Sequence, residues 1–224
     1  MKIQFLGTGA ADWKAVPENY PGYRYFSSAL VDGELLIDPG PDVFLSAKRY
    51  GVGLEGVTHV INTHRHQDHF SEETLGKLLD SGAEFVPFAA GETKTVSRYR
   101  ISAFAANHGT VSGAVHFLID DGDKRLYYAL DGAWLLYDEY QALKEGADLL
   151  VLDATIGDVP GDYRIFEHNN LNMVREIRET LKPYVGKFIV SHMALTLHGT
   201  HRELEEALAP GGILAARDGL VVEI

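Results

Sequence analysis

Seven consecutive residues restrict this chain more than any other feature. Thr63-His64-Arg65-His66-Gln67-Asp68-His69 places three histidines and an aspartate within six positions. The segment follows Val57–Ile61, an apolar run that reads as a strand, and precedes Ser71, which reads as a helix N-cap. It therefore occupies a strand-to-helix turn, where α/β folds place their sites. A packed core would not select these side chains, because each buried polar group needs a partner. Histidine is the commonest metal ligand. At 64 and 66 two imidazoles point the same way along extended backbone and can reach one ion. Asp68 and His69 lie past the bend and serve a neighbouring position. A catalytic metal site takes about three protein ligands plus an open position, so further ligands must come from elsewhere.

Three later residues repeat one arrangement, an apolar strand followed by His or Asp and a small or flexible neighbour. They are His108 in Asn107-His108-Gly109, Asp131 in Leu130-Asp131-Gly132 and His192 in Val190-Ser191-His192. A carboxylate, with two oxygens, can bridge two ions ~3.5–4 Å apart. The chain has no cysteine. Disulfides, thiolate catalysis and cysteine-bound zinc are excluded, and any ion must be held by nitrogen and oxygen.

The remaining pattern is ordinary for a globular α/β chain. Ile3–Leu6, Ser27–Val31 with Glu34–Asp38, Glu84–Phe88, Tyr99–Ala105, Ala114–Ile119 with Arg125–Leu130, Asp148–Asp153 and Lys187–Val190 read as strands. Ile213–Ala215 and Leu220–Glu223 read as a closing hairpin. Asp42 is expected to cap a helix through Arg49, and further helices are expected after Ser71 and over Trp134–Lys144, Leu171–Leu181 and Arg202–Leu208. Residues 10–26 read as a long loop. Antiparallel strands come first and helix–strand alternation later, which fits two sheets packed face to face with helices outside. At 224 residues, one domain spanning 1–224 is the expectation.

The formal net charge of −12 disfavours a polyanionic partner, so nucleic acid is not expected. No signal-peptide core follows Met1, and no apolar stretch is long enough to span a bilayer. A cytoplasmic protein with no membrane partner is expected. A homodimer is admitted by base rate alone.

The order His-x-His-x-Asp-His, then His, Asp and His, resembles the metallo-β-lactamase superfamily over nearly the whole chain, from Gly7-Thr8-Gly9 onward. The resemblance implies a four-layer αββα sandwich, an α/β (α+β) fold. It implies that His64, His66 and His108 hold one divalent ion, that Asp68, His69 and His192 hold a second, and that Asp131 bridges them. Zinc and manganese both suit such a set. Phe5-Leu6-Gly7-Thr8-Gly9, Leu36-Ile37-Asp38-Pro39-Gly40 and Leu152-Asp153-Ala154-Thr155 are similar to the phosphodiesterase branch. Glu167-His168-Asn169-Asn170-Leu171 is similar to the His-Asn segment of the phosphoribosyl 1,2-cyclic phosphate phosphodiesterases. The cysteine-based accessory metal site of that family cannot form here, and the basic tRNA-gripping arm of RNase Z is absent.

The function implied is hydrolysis of a small phosphodiester, cyclic ones included, by a metal-bridged hydroxide. Asp68, Asp131 and His168 would carry catalysis, with His168 and His198 touching substrate. Asp38 and Asp153 sit at strand ends, where they can either hydrogen-bond the ligand histidines or cap turns. A lactonase or thioesterase of the same superfamily, or a non-catalytic metal-binding protein, are the competing readings.

Overall fold

Asp32 and Gly33 take positive φ, 50° and 79°, as a tight reversal between two twisted strands requires. A computed structural model describes all 224 residues, and this turn joins β2 (Ser28–Val31) to β3 (Leu35–Ile37). With β1 (Lys2–Gly7), β4 (His59–Ile61), β5 (Glu84–Phe85) and β13 (Val221–Glu223) they form a six-stranded sheet ordered β13-β1-β2-β3-β4-β5. A seven-stranded sheet runs β12-β11-β10-β9-β8-β7-β6. Its strands are β6 (Thr93–Val96), β7 (Tyr99–Ala105), β8 (Val115–Asp120), β9 (Arg125–Ala129), β10 (Ala147–Asp153), β11 (Val185–Ser191) and β12 (Ile213–Ala215). The helices are α1 (Val43–Tyr50), α2 (Glu72–Asp80), α3 (Tyr137–Lys144), α4 (Leu171–Leu181) and α5 (His201–Leu208).

Three separate apolar layers define the stacking. The central layer joins Ile3, Phe5 and Ile37 of one sheet to Ile101, Phe117 and Val151 of the other. A second packs Val43, Leu75 and Leu78 of α1 and α2 onto Leu30, Leu36 and Val60. A third packs Leu143, Val174, Ile177 and Leu204 of α3, α4 and α5 onto Leu150, Leu152 and Val190. The result is helices, sheet, sheet, helices, the αββα order of the metallo-β-lactamase fold. β10 shows why its sequence is apolar throughout. Leu149 and Val151 face the central layer while Leu150 and Leu152 face the helices, and β9 and β11 flank it in parallel. No helix is long and apolar enough to cross a membrane.

Helix starts follow their side chains. Ser71 accepts from the Thr74 amide at 3.2 Å, and Asn170 accepts from the Met173 amide at 2.9 Å. Ser71→Ala is expected to cost about 1 kcal/mol in urea unfolding. An unchanged midpoint would mean that α2 is held by packing alone.

Five expectations are corrected. The closing hairpin does not form: β12 runs parallel to β11 in one sheet, while β13 pairs antiparallel with β1 in the other. The connector is pulled across by Asp218, which accepts from Thr8 Oγ1 at 2.6 Å and from the Tyr25 amide at 2.7 Å. α3 starts at Tyr137 rather than Trp134. Trp134 has φ 61° and its amide donates to Asn169 Oδ1 at 2.7 Å, which is incompatible with a helical first turn. Asp42 precedes α1 but does not cap it through its side chain; its carboxylate accepts instead from the Phe26 amide. The Glu84–Phe88 strand shrinks to two residues, ending before Pro87, which has no N–H to pair. Within 10–26 a 3-10 turn forms at Ala11–Ala15 and buries Trp13, whose Nε1 donates to the Met193 carbonyl at 2.7 Å. The polar edge strand β6 had no apolar alternation to mark it.

Candidate metal centre

The seven ligand candidates converge at one edge of the sandwich, from both sheets. His64, His66, Asp68 and His69 lie on the turn that follows β4. The His69 and Phe70 amides both donate to the His66 carbonyl, at 3.0 and 2.9 Å, and that closes the turn. His108 lies beyond β7, Asp131 beyond β9 and His192 beyond β11. Asp131 and His192 have φ of 56° and 63°, and Asp38 at the end of β3 has 61°. Left-handed backbone is uncommon outside glycine and costs ~1–2 kcal/mol per residue, so the surrounding bonds must enforce it.

The donor atoms fall into overlapping groups. His64, His66 and His108 bring one ligand atom each within 4.8 Å of the others, and Asp68, His69 and His192 do the same. Asp131 Oδ2 lies between the groups, 2.5 Å from His69 Nε2, 3.2 Å from His192 Nε2 and 3.7 Å from His64 Nε2. His66 Nδ1 and His108 Nε2 are 3.0 Å apart. His64 Nε2 and Asp131 Oδ2 are buried with no hydrogen-bond partner. Buried ligand atoms gathered this closely without an aligned hydrogen bond are what a cation would satisfy. These residues therefore fit a divalent metal, and the clusters could hold one.

Electrostatics point the same way. Asp38, Asp68, Asp131 and Asp153 are all buried, and their close ionic contacts are with histidines, not with Lys or Arg. Burial works against charge on His192, yet Asp131, Asp153 and Asp68 push its pKa up to about 10. His69 is likewise raised, by Asp131, Asp68 and Asp38 in spite of burial. His64, buried and facing the charge of His69, is lowered to about 2. Burial also lowers His108. Burial raises the Asp68 and Asp131 carboxyls, but the histidines around them win and hold both below the usual range.

A supporting set of bonds fixes the rings. Asp38 Oδ2 takes His69 Nδ1 at 2.8 Å, while Asp38 Oδ1 accepts from the Thr63 amide at 2.7 Å. Asp153 Oδ2 takes His168 Nδ1 at 3.0 Å. Thr155 Oγ1 donates to Asp153 Oδ2 at 2.9 Å and lies 2.8 Å from His192 Nδ1. Asp38 thus meets a ligand-candidate histidine directly, while Asp153 meets His168 and also accepts from the Thr155 and Asn169 amides at 3.0 Å, as a turn cap does. Thr155 and Asn169, which enter the sequence reading only as parts of longer motifs, supply further contacts here. Asn169 takes its amide to Asp153 Oδ1 and its Oδ1 to the Trp134 amide, so it ties two site loops together.

His168 stands beside the cluster. Its Nδ1 lies 3.4 Å from Asp131 Oδ1, and its ring stacks on His192 with centroids 5.6 Å apart. Burial pulls its pKa down, but Asp153, by charge and hydrogen bond, and Asp131 leave it above the ordinary histidine value. With Nδ1 turned to Asp153, the other ring nitrogen remains for the cleft that His168 lines. That cleft has a volume of about 270 Å³ and is also lined by Asp12, Thr110, Arg164 and Glu167. Arg164 is its one Lys or Arg, and Asp162 grips it in a fork at 2.9 and 2.7 Å. His198 is elsewhere. Its Nε2 bonds the Ala154 carbonyl at 2.7 Å, and it lines a separate 460 Å³ cavity with Trp13 and His201. The expected substrate contact of His198 therefore has no counterpart in the cleft. Arg65 points away from the cluster, to Glu72.

Residues 27–72, which contain the ligand turn, match the family model described as metallo-beta-lactamase superfamily. Among solved structures, zinc-bound PqqB from Methylobacterium extorquens is similar at 19% identity, with all of both chains covered and a TM-score of 0.76. A diphosphatase of the PhnP family is 22% identical, with 100% of this chain and 97% of that one covered and a TM-score of 0.74. Human tRNase Z, short form, is 18% identical, with 100% and 99% covered and a TM-score of 0.72. Among the curated proteins no sequence matches.

Proposed function

From its metallo-β-lactamase fold and the family match over residues 27–72, we propose that this chain is a hydrolase of small phosphodiesters working with two divalent ions, zinc or manganese. His64, His66 and His108 would hold one ion, and Asp68, His69 and His192 the other, with Asp131 shared. Such ions, when bound, supply an acidified water and Lewis-acid polarisation of a phosphoryl oxygen. The single observation that carries the phosphodiester reading is His168, set by Asp153 against Asp131 at the cleft wall. Its pKa is raised by Asp153 and Asp131, which favours the protonated ring, and the free ring edge can bond a phosphoryl oxygen or give a proton to the departing alkoxide. Arg164, fixed by Asp162, offers a second positive group to an anionic substrate at the cleft. The neighbours that are by name a diphosphatase and a tRNase also support phosphate-containing substrates. Small size is favoured by the cleft volume and by the acidic surface.

The test is hydrolysis by purified protein of bis-p-nitrophenyl phosphate, a ribose cyclic phosphate, a thioester and a lactone, with zinc or manganese and with a chelator control. Metal-dependent cleavage of the diesters is expected. His168→Ala should lower kcat roughly 10²-fold with metal content unchanged. Turnover of the thioester or lactone alone would overturn the phosphodiesterase reading.

A further inference from the structure

Below Asp131 lies a buried polar group that the metal reading does not use. His116 on β8, Tyr127 on β9 and Glu139 on α3 are all fully buried. Glu139 Oε1 takes His116 Nδ1 at 2.5 Å and the Tyr127 hydroxyl at 3.2 Å, while Glu139 Oε2 accepts from the Leu136 amide at 2.6 Å. A carboxylate and an imidazole in a sheet–helix interface are costly to bury, and apolar residues of the same volume would often be no worse for stability. Their placement gives them a purpose. His116 Nε2 is buried without a partner, and the ring edge bearing it abuts Gly132, the residue after Asp131. A Cβ at 132 would fall 2.6 Å from His116 Cε1 and 2.7 Å from Nε2. Gly132 has no left-handed φ to explain it, so close approach of the imidazole is the reason for glycine here.

The same short loop is tied on its other sides. Asn107, next to His108, exchanges two bonds with Ala133: the Ala133 amide donates to the Asn107 carbonyl at 3.1 Å, and Asn107 Nδ2 donates to the Ala133 carbonyl at 2.9 Å. Asn169, next to His168, takes the Trp134 amide. Residues 131 and 134 both sit at positive φ. Residues 131–134 are thus a strained hub that rests on His116 from beneath and touches the loops of His108 and His168 at its sides.

We propose that His116, braced by Glu139 and Tyr127, is a positioning residue for Asp131. It sets the height of the Gly132 backbone and so the placement of the Asp131 carboxylate between the two ligand groups. The inference rests on Asp131 being a metal ligand.

The experiment measures zinc affinity by chelator competition, on folded protein, for wild type, Asp131→Asn, Gly132→Ala, His116→Leu, and the double variant His116→Asn with Gly132→Ala. Circular dichroism and cooperative melting establish folding for each. Gly132→Ala should weaken zinc binding about 10–100-fold, the usual weight of a group that orients a ligand. His116→Leu should do the same. In the double variant the shorter asparagine side chain leaves room for the added methyl group, and affinity should recover at least tenfold over Gly132→Ala. A packing defect without a positioning role would lower melting temperature and leave zinc affinity alone, and that result overturns the proposal. So does failure of the double variant to recover. Should His116→Leu not fold, Gly132→Ala and the double variant decide the matter by themselves. If Asp131→Asn binds zinc like wild type, the ligand assignment fails. If it loses zinc while the others keep it, only the positioning role fails.

Discussion

Asp131→Asn is expected to lose on the order of 10⁴ in turnover while the protein still folds, because one oxygen is asked to serve both ligand groups. Asp131 Oδ2 lies within 3.7 Å of His64, His69 and His192, and Oδ1 lies within 3.4 Å of His168. Asparagine keeps the size and tolerates left-handed backbone, so φ 56° is not a problem for it. It removes the charge that holds the histidines. Asp131→Ala should lose as much activity and be less stable than the asparagine variant by about 1 kcal/mol, since alanine fits positive φ poorly. Steady-state rates and urea midpoints on both variants check this. Near-wild-type turnover in Asp131→Asn would remove the residue from the centre of the chemistry.

Stripping divalent ions is expected to lower the melting temperature by roughly 5–20 °C. Each ion held at a hundredfold above its Kd stabilises by about 2.7 kcal/mol, and a chain of this size shifts by ~2–4 °C per kcal/mol. The cause is visible in the cluster. The ionic partners of four buried aspartates are histidines rather than Lys or Arg, and His69 and His192 among them are pushed toward the protonated form. The sign with pH follows. His192 has a folded pKa raised from 6.5 to about 10, so the stability its proton gives is complete below 6.5 and is lost as pH rises through 10. Metal binding needs that proton gone and strengthens over the same interval. The gap between loaded and stripped protein should therefore widen from pH 6.5 upward. Calorimetry with chelator, then with zinc or manganese restored, reads it. Superimposable melts would exclude a bound ion in the protein as purified.

The ligand turn was legible because its chemistry is local. His64 to His69 follow one strand and need no partner to be recognised, and Asp131 and His192 repeat the same strand-end position. Buried strands such as β10 were legible from apolar runs. What was not legible depends on contacts far apart in the chain. The separation of β12 from β13 is decided by Asp218 reaching Thr8 and Tyr25. The late start of α3 is decided by Asn169 taking the Trp134 amide. His198 sits a few residues past His192 in sequence, but its bond to Ala154 turns it into another cavity. Nothing local in the sequence marks Gly132 as resting on His116.

The crossing of the last strand has a further consequence. β1 carries Ile3 and Phe5 into the central layer, and without β13 its outer side would be a row of unsatisfied amides and carbonyls. Such a margin invites another chain to add to it. β13 closes it with only three residues, pairing Lys2 with Glu223 and Gln4 with Val221. The short final strand thus moves the sheet's exposed border from an apolar strand to one that is brief and carries Glu223, a poor template for association between molecules.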